Sequence, residues 1–424
     1  MSKISTKAFL EEAVPGFDFR RAREEAARCL LCHDGPCSEA CPAGTNPAKF
    51  IRSIRLGNIK GAAETIRENN ALGGSCANLC PYNRMCEGAC ARTGIDRPIE
   101  IGKLQRFVVE QEMDLGMKIL KPPSEQKQGR VACVGAGPAS LACAAQLALG
   151  GCRVTVYEAE QSAGGVLSYG IIPARLPQRL VDFDVQLIKD LGVEFIFGTR
   201  VGGDISVGEL LEKYDAVFVG VGLGSAKLPQ IPGIELEGVC GAVDFLKQAR
   251  STGGKIKPGE DVIVIGGGDV ATDAAAAAKQ LGSKRVSIVY RRSIEEAPAN
   301  MAELAYIQSL GVSMTTEMAP AEVLGEGGKV VGVRFESRDG YSQLKLRADR
   351  VVFAVGQALD KVDGITTNEG GLIRADANGM SGNERIFAAG DAVNGGKTVV
   401  EAVAEGKTAA EAILSQLGKK AGAN

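Results

Sequence analysis

Past residue 130 the chain is built from short unbroken apolar runs, each followed by glycines and then by a longer apolar-rich stretch. Residues 131–134 form one run, Pro138–Leu149 the stretch behind it and Arg153–Tyr157 the next run. The same series returns at Asp261–Ile265, 269–281 and 285–290. Runs this short, bounded by turn residues, suit strands buried on both faces, and the stretches between them have helical length. Two parallel-sheet domains are predicted. Residues 214–222 close the first and 350–356 the second, and the chain then offers a last strand at 386–389 and a closing helix from Val399. Before residue 120 little alternates. Segments 18–30 and 46–69 place apolar residues such as Phe50, Ile51, Ile54 and Ile59 at helical spacing, so this part should be mostly helical.

Composition narrows the class. The chain has 424 residues, a formal net charge of −2 and no basic stripe, which argues against nucleic-acid binding. Its first residues lack an apolar signal core and its later apolar stretches are broken by glycines and charges, so a cytoplasmic protein without a membrane span is expected. The single histidine, His33, sits beside Cys32, so a hydrolase triad or a His-rich metal site is hard to build, and difficult chemistry falls to cofactors. The polar segment 121–130, with paired prolines, marks a boundary, and 253–259 reads as a crossing linker. The expected domains are 1–125, all helical; 126–250, the first part of one nucleotide domain; 251–370, a second; and 371–424, the remainder of the first.

The first glycine turn reads Val134-Gly135-Ala136-Gly137-Pro138-Ala139-Ser140. Gly135 permits the tight turn, Gly137 lets backbone approach a pyrophosphate, and the following helix N-terminus meets the negative charge. Glu158, 23 residues past Gly135 at the end of the next strand, can bond a ribose hydroxyl. Ser140 replaces the third glycine, which should cost some helix–strand packing. Gly164, Gly165, Val166 and Arg175 follow in a segment that suits either a flat ring system or an ordinary loop. The second turn, Gly266-Gly267-Gly268-Asp269-Val270-Ala271, leads to a strand ending in Arg291 and Arg292, where a ribose 2′-phosphate could be held, but Glu295 and Glu296 are close enough to offset them. The dinucleotide stays open on this pattern. Gly390 and Asp391 lie at a strand end where Asp391 can accept from a ribitol chain, and the helix near Thr398 can aim its N–H groups at a flavin. Since this segment follows the second nucleotide domain, that domain must be inserted into the first.

Eight of the twelve cysteines form two blocks, Cys29-x2-Cys32-x4-Cys37-x3-Cys41-Pro42 and Cys76-x3-Cys80-Pro81-x4-Cys86-x3-Cys90. Two zinc ions could occupy such spacings. A Cys-Pro after an x3 gap is similar instead to the bacterial iron–sulfur run, whose fourth cysteine ligates the other cluster. Zinc would also leave the nucleotide domains without an electron outlet, and no Cys-x-x-Cys stands in the second of them to serve instead. Cys133, Cys143, Cys152 and Cys240 are isolated and read as small core residues.

Taken with the segments 28–37, 60–73 and 99–105, these features resemble the glutamate-synthase small-subunit superfamily of iron–sulfur flavoproteins, nearest to the flavin subunits of bacterial dihydropyrimidine dehydrogenases. The resemblance implies an α/β protein: an N-terminal all-helical iron–sulfur domain, then two Rossmann-like parallel-sheet domains, the second inserted in the first. It implies two 4Fe–4S clusters, one on Cys29, Cys32, Cys37 and Cys90, the other on Cys41, Cys80, Cys86 and the amide oxygen of Gln105, with Cys76 outside the ligand set. It places FAD against Gly135, Ala136, Gly137, Pro138, Ala139, Glu158, Gly164, Gly165, Val166, Arg175, Gly390, Asp391, Thr398 and Val399, with Leu79 near the flavin. It places the pyridine nucleotide against Gly267, Gly268, Asp269, Val270, Arg291, Arg292, Ala354, Val355 and Gly356. Single-chain animal relatives use NADPH and carry a further basic residue where Glu295 stands, so the resemblance favours NADH over NADPH.

The expected role is electron input: a nicotinamide reduces FAD, and the two clusters deliver electrons to an FMN-containing partner, in a heterotetramer, that reduces uracil or thymine to the 5,6-dihydro form. No side-chain acid or base is required for the hydride step. One alternative partner is a glutamate-synthase or ferredoxin-linked large subunit. Another reading is a zinc-stabilised nucleotide sensor without turnover.

Overall fold

The computed structural model describes residues 6–124 and 129–421, so part of the expected boundary segment 121–130 lies outside the described residues. The chain divides into two compact units. The larger is formed by the described residues of 14–168, 178–223 and 359–421.

Its first part is helical, with no strand among the described residues before Arg130. Helices Phe19–Ala27, Pro47–Arg55, Ile59–Asn69 and Ile101–Asp114 pack Phe50, Ile51, Ile54, Ile66, Leu104 and Phe107 into one core. The single helix expected over 46–69 is two. Gly57 takes the left-handed conformation (φ 76°) that ends the first, and the Asn58 carboxamide accepts from the Gly61 N–H to start the second. Between the helices lie Gly73–Leu79 and the short turns Pro36–Glu39, Tyr82–Arg84 and Ala91–Gly94.

Behind this part stands a six-stranded sheet in the order Met380–Ser381, Asn383–Ala388, Ala216–Val219, Arg130–Val134, Arg153–Tyr157 and Glu194–Ile196. All neighbours are parallel except the first pair. Ile386 to Ala388 align with Val217 to Val219, so the strand that returns after the second domain completes the first sheet, which is the insertion expected. Helices Pro138–Leu149 and Val399–Ala421 pack against each other on this sheet.

The smaller unit is formed by the described residues of 1–13, together with 169–177 and 224–358. Its parallel sheet runs Val239–Gly241, Arg350–Phe353, Asp261–Ile265, Arg285–Val289 and Ser313–Thr315. The Ala-rich helix Asp269–Gln280 fills the core beside it, joined there by the fully buried Phe9. A three-stranded antiparallel sheet, Met318–Glu326, Lys329–Ser337 and Gln343–Arg347, was not foreseen.

In the larger unit one buried ionic cluster ties helical domain to sheet domain. Arg67, with its side chain fully buried, donates from Nε to Glu112 at 2.8 Å and from Nη1 to Asp184 at 2.8 Å. Asp184 belongs to the helix Gln178–Asp190 and also accepts from the Gly74 and Ser75 N–H groups and the Ser75 hydroxyl. Removing the cation strands two buried carboxylates, which costs about 3–5 kcal/mol. Arg67→Met should therefore lower the thermal unfolding midpoint of the whole unit, measured by circular dichroism, far more than Arg20→Met at an exposed pair.

Candidate cofactor sites

The cysteines separate in space into two groups. Cys29 follows the helix Phe19–Ala27, and Leu31 takes a left-handed conformation (φ 55°) that returns its N–H to Cys29 Sγ at 3.5 Å. Cys29 lies within electrostatic reach of Cys32 and Cys90, and Cys37 within reach of Cys29 and Cys90. The second group surrounds one cavity, lined by Cys41, Cys80, Cys86, Gln105, Cys76 and Val400 among others. Cys76, expected outside the ligand set, hydrogen-bonds Cys80 there. Gln105 donates from Nε2 to the Gly73 carbonyl at 2.7 Å, which leaves its amide oxygen as the end open to the cavity. His33 is exposed and leans on Asp34.

Cysteine thiols in both groups, with the Gln105 amide oxygen in the second, are donors that fit an iron–sulfur group. Burial pushes the Cys86 thiol up to about 12 and raises Cys29 and Cys37, so thiolates here need a counter-charge supplied from inside the site.

The first glycine turn is built by close backbone approach. A Cβ on Gly135 (φ 87°) would stand 2.8 Å from the Gly220 carbonyl oxygen, whereas one on Gly137 would meet only that oxygen, at 3.9 Å, so Gly137 faces open space at the helix N-terminus. Glu158, buried and thereby raised in pKa, accepts from the Ala136 N–H at 2.6 Å and the Glu160 N–H at 2.8 Å, which orients it beside the turn. Gly164 bonds back to the Ala136 carbonyl, Gly165 crowds the Gly137 Cα, and Val166 opens the short helix behind them. Ser140 does not cost the packing expected. Its hydroxyl donates to Val134 O at 3.2 Å, and the neighbour opposite is Gly220, where any side chain would collide with it. Gly390 (φ 76°) turns against Ala139 and donates to Glu405 Oε2 at 2.9 Å, which brings Asp391 to the same N-terminus as Pro138 and Ala139. Burial raises the Asp391 carboxyl. Thr398 and Glu401 cap the helix beginning at Val399, whose next residue, Val400, lines the thiol cavity. Leu79 ends the helix that leads into Cys80.

In the smaller unit, Gly266 packs against the Ala354 carbonyl, so the Gly267–Gly268 turn and the Ala354, Val355 and Gly356 strand end meet. The Tyr290 ring covers Gly267, while Gly268, Asp269 and Val270 open the following helix. Arg291 and Arg292 are exposed and make no ion pair among the described residues, whereas Glu296 bonds back to the Ser293 N–H. Arg175 is engaged within this unit by Asp273, at 2.6 Å, and by Glu303. Cys133 and Cys143, on the strand Arg130–Val134 and the helix that follows it, are buried side by side in the larger unit's core, and Cys240 is half-buried.

Comparison with known proteins agrees with this arrangement. Residues 5–117 match the family described as dihydropyrimidine dehydrogenase domain II, 4Fe-4S cluster, and residues 129–406 match pyridine nucleotide-disulphide oxidoreductase. The chain is 44% identical over 407 residues to the NAD-dependent dihydropyrimidine dehydrogenase subunit PreT of Escherichia coli K12, covering 96% of each. It belongs to the PreT family. It is thus an iron–sulfur flavin oxidoreductase subunit that uses a nicotinamide cofactor. The glutamate synthase [NADPH] small chain of the same organism is 31% identical, over 98% of this chain and 95% of that one. Among solved structures, Mycobacterium tuberculosis FprA in complex with NADPH superposes with a TM-score of 0.62 at 21% identity, covering 70% of this chain and 86% of FprA. Lactococcus lactis thioredoxin reductase gives 0.56 at 20%, covering 69% and 100%. These two likenesses bear on the fold alone. No helix among the described residues is long and apolar enough to cross a membrane.

Sequence reasoning missed Gly220, Glu405 and Gly406, which shape the first glycine turn and its surroundings from far along the chain. A Cβ on Gly406 would stand 2.2 Å from the Ala139 carbonyl oxygen. It also missed the carboxylates around Arg175. Burial outweighs the attraction of Arg175 and pushes Asp273 up to about 6 and Glu303 up to about 8. The folded unit then holds protons that the unfolded chain releases near pH 4, so their stabilisation is full below about pH 4 and is lost as pH rises through about 6 and then about 8. Thermal midpoints should fall between pH ~4 and ~8, and Asp273→Asn should flatten the lower part of that slope.

Proposed function

We propose that this chain is the electron-input subunit of a dihydropyrimidine dehydrogenase, in the cytoplasm, oxidising NADH on behalf of an FMN-containing partner in a heterotetramer that reduces uracil or thymine to the 5,6-dihydropyrimidine. FAD and two 4Fe–4S clusters would supply the conversion of a hydride into single electrons and their conduction to the partner.

The chain's own residues bind and orient. Gly135, Ala136, Gly137, Pro138 and Ala139 offer backbone N–H groups and a helix dipole to a pyrophosphate, and Glu158 a carboxylate to a ribose. Gly164, Gly165 and Val166 bound the flat part of the site with Leu79 opposite. Arg175 acts through its contacts with Asp273 and Glu303. Gly390 and Asp391 hold the ribitol, and Thr398 and Val399 direct the last helix's N–H groups towards the flavin's electron-rich edge. Gly267, Gly268, Asp269 and Val270 receive the nicotinamide dinucleotide, with Ala354, Val355 and Gly356 beside them and Arg291 and Arg292 at the ribose end. Cys29, Cys32, Cys37 and Cys90 hold one cluster; Cys41, Cys80, Cys86 and Gln105 hold the other.

The observation that carries this reading is that Cys41, Cys80, Cys86 and Gln105 line one cavity together with Val400, in the first turn of the helix capped at Thr398. The helix N-terminus that would face a flavin thus borders the cavity that would hold a cluster.

The test is an anaerobic assay of the purified chain. It should oxidise NADH with an artificial dye at a higher kcat/KM than NADPH, and turn over uracil only when the FMN-containing subunit is added. Uracil reduction by the chain alone, or function only with a glutamate-synthase large subunit, would contradict it. Cys80→Ser should keep NADH-to-dye activity within about two-fold while cutting partner-dependent uracil reduction at least about ten-fold.

A further inference from the structure

Lys407 has no part in the sites assigned above, yet it is held more firmly than an ordinary surface lysine. It is half-buried on the helix Val399–Ala421 and donates from Nζ to two backbone carbonyls of the helical domain, Ala43 O and Asn69 O, each at 2.8 Å. Ala43 lies two residues past Cys41, and Asn69 adjoins Asn70, which lines the second thiol cavity. Val400, two helical turns earlier on the same face, lines that cavity as well. The Cys41 sulfur is within electrostatic reach of the ammonium, and the other charged group near it is Glu411. The preceding residue, Gly406, is pressed onto the Ala139 carbonyl of the flavin-turn helix. One stretch of helix therefore touches both the pyrophosphate turn and the rim of the thiol cavity.

Two carbonyl acceptors would satisfy a neutral donor equally well. A cation at this position does something further, because an electron added to a thiolate-ligated site increases its negative charge by one, and a fixed positive charge at its edge stabilises that state. Lysine suits this role as a compact charge on a stem whose freedom is removed by its two acceptors.

We propose that Lys407 is a positioning and charge-setting residue for the second iron–sulfur site: it fastens the Cys41 loop to the flavin-side helix and favours reduction of that site over the flavin. The inference rests on the proposed assignment of Cys41, Cys80, Cys86 and Gln105 as ligands.

The test compares the full-length chain with Lys407→Met, Lys407→Gln and Lys407→Arg, purified anaerobically, with iron, sulfide and flavin measured on the same samples. At a fixed NADH to NAD+ ratio, the reduced-cluster signal in electron paramagnetic resonance is quantified per iron. The Met and Gln variants should show the reduced fraction of the second site, as the ratio of reduced to oxidised centres, lowered about ten-fold, which corresponds to about 59 mV for one electron. The Arg variant should stay within about two-fold of the parent. If the Gln variant matches the parent, the charge has no role and the proposal is overturned, and this comparison stands even where the Met variant fails to fold. Should the parent itself hold only one cluster's worth of iron, the ligand assignment fails and takes this inference with it, an outcome distinct from an unchanged potential in an iron-replete Gln variant.

Discussion

A guanidinium shut away from water sets the relation between the thiol-bearing helices and the first nucleotide sheet. Arg67 lies between Glu112, on its own helical domain, and Asp184, on a helix of the sheet domain, with all three side chains fully buried. A buried charge without its partner is so unfavourable that this packing is close to all-or-none: either the three groups meet or the interface stays wet. Asp184 spends its remaining acceptor capacity on the Gly74 and Ser75 N–H groups and the Ser75 hydroxyl. These residues open the helix Gly73–Leu79, and the Gly73 carbonyl accepts from Gln105. The same contact that docks the domains thus also fixes the helix leading into Cys80 and the amide facing the thiol cavity.

The first glycine turn is arranged by the absence of side chains. Gly135 against Gly220, Gly390 against Ala139 and Gly406 against the Ala139 carbonyl let four separate segments crowd one helix N-terminus. With no Cβ in the way, these segments approach the N-terminus of the helix Pro138–Leu149 closely, the kind of end at which backbone N–H groups and the helix dipole favour an anion. Glu405 then holds the Gly390 N–H and the Asn394 amide, so that Asp391 leaves the last strand of the sheet in a defined direction. The helix carrying Glu405 is the one whose first turn lines the thiol cavity, which makes it the mechanical link between the two sites.

The repeating apolar runs and glycine turns made both sheets readable, including the inserted order, because buried parallel strands need continuous apolar sequence. The eight clustered cysteines announced a thiol-rich region by their spacing, but not that Cys76 would line the same cavity as Cys41, Cys80 and Cys86. What stayed hidden depends on partners remote in sequence. Nothing near Ser140 reveals that Gly220 makes room for its hydroxyl, and nothing near Arg175 reveals Asp273 and Glu303. The pair of helices within 46–69 was legible in Gly57-Asn58, a stop followed by a cap, but the unbroken apolar spacing outweighed it. The strand Val239–Gly241, paired with Arg350–Phe353, is too short to show a period, which obscures where the second sheet begins. The hairpin at Gly327-Gly328, both left-handed, joins two alternating segments and carried its own turn signal.

The central claim is that the thiol groups form a conducting relay for a flavin reduced by a pyridine nucleotide. Anaerobic titration of the purified chain with NADH, following flavin bleaching by absorbance and cluster reduction by electron paramagnetic resonance in the same samples, tests it most directly. The account predicts iron and sulfide for two four-iron clusters, and cluster signals that appear as the flavin accepts hydride. A protein that bleaches its flavin while its metal centres stay oxidised, or that carries zinc in place of iron, would contradict it.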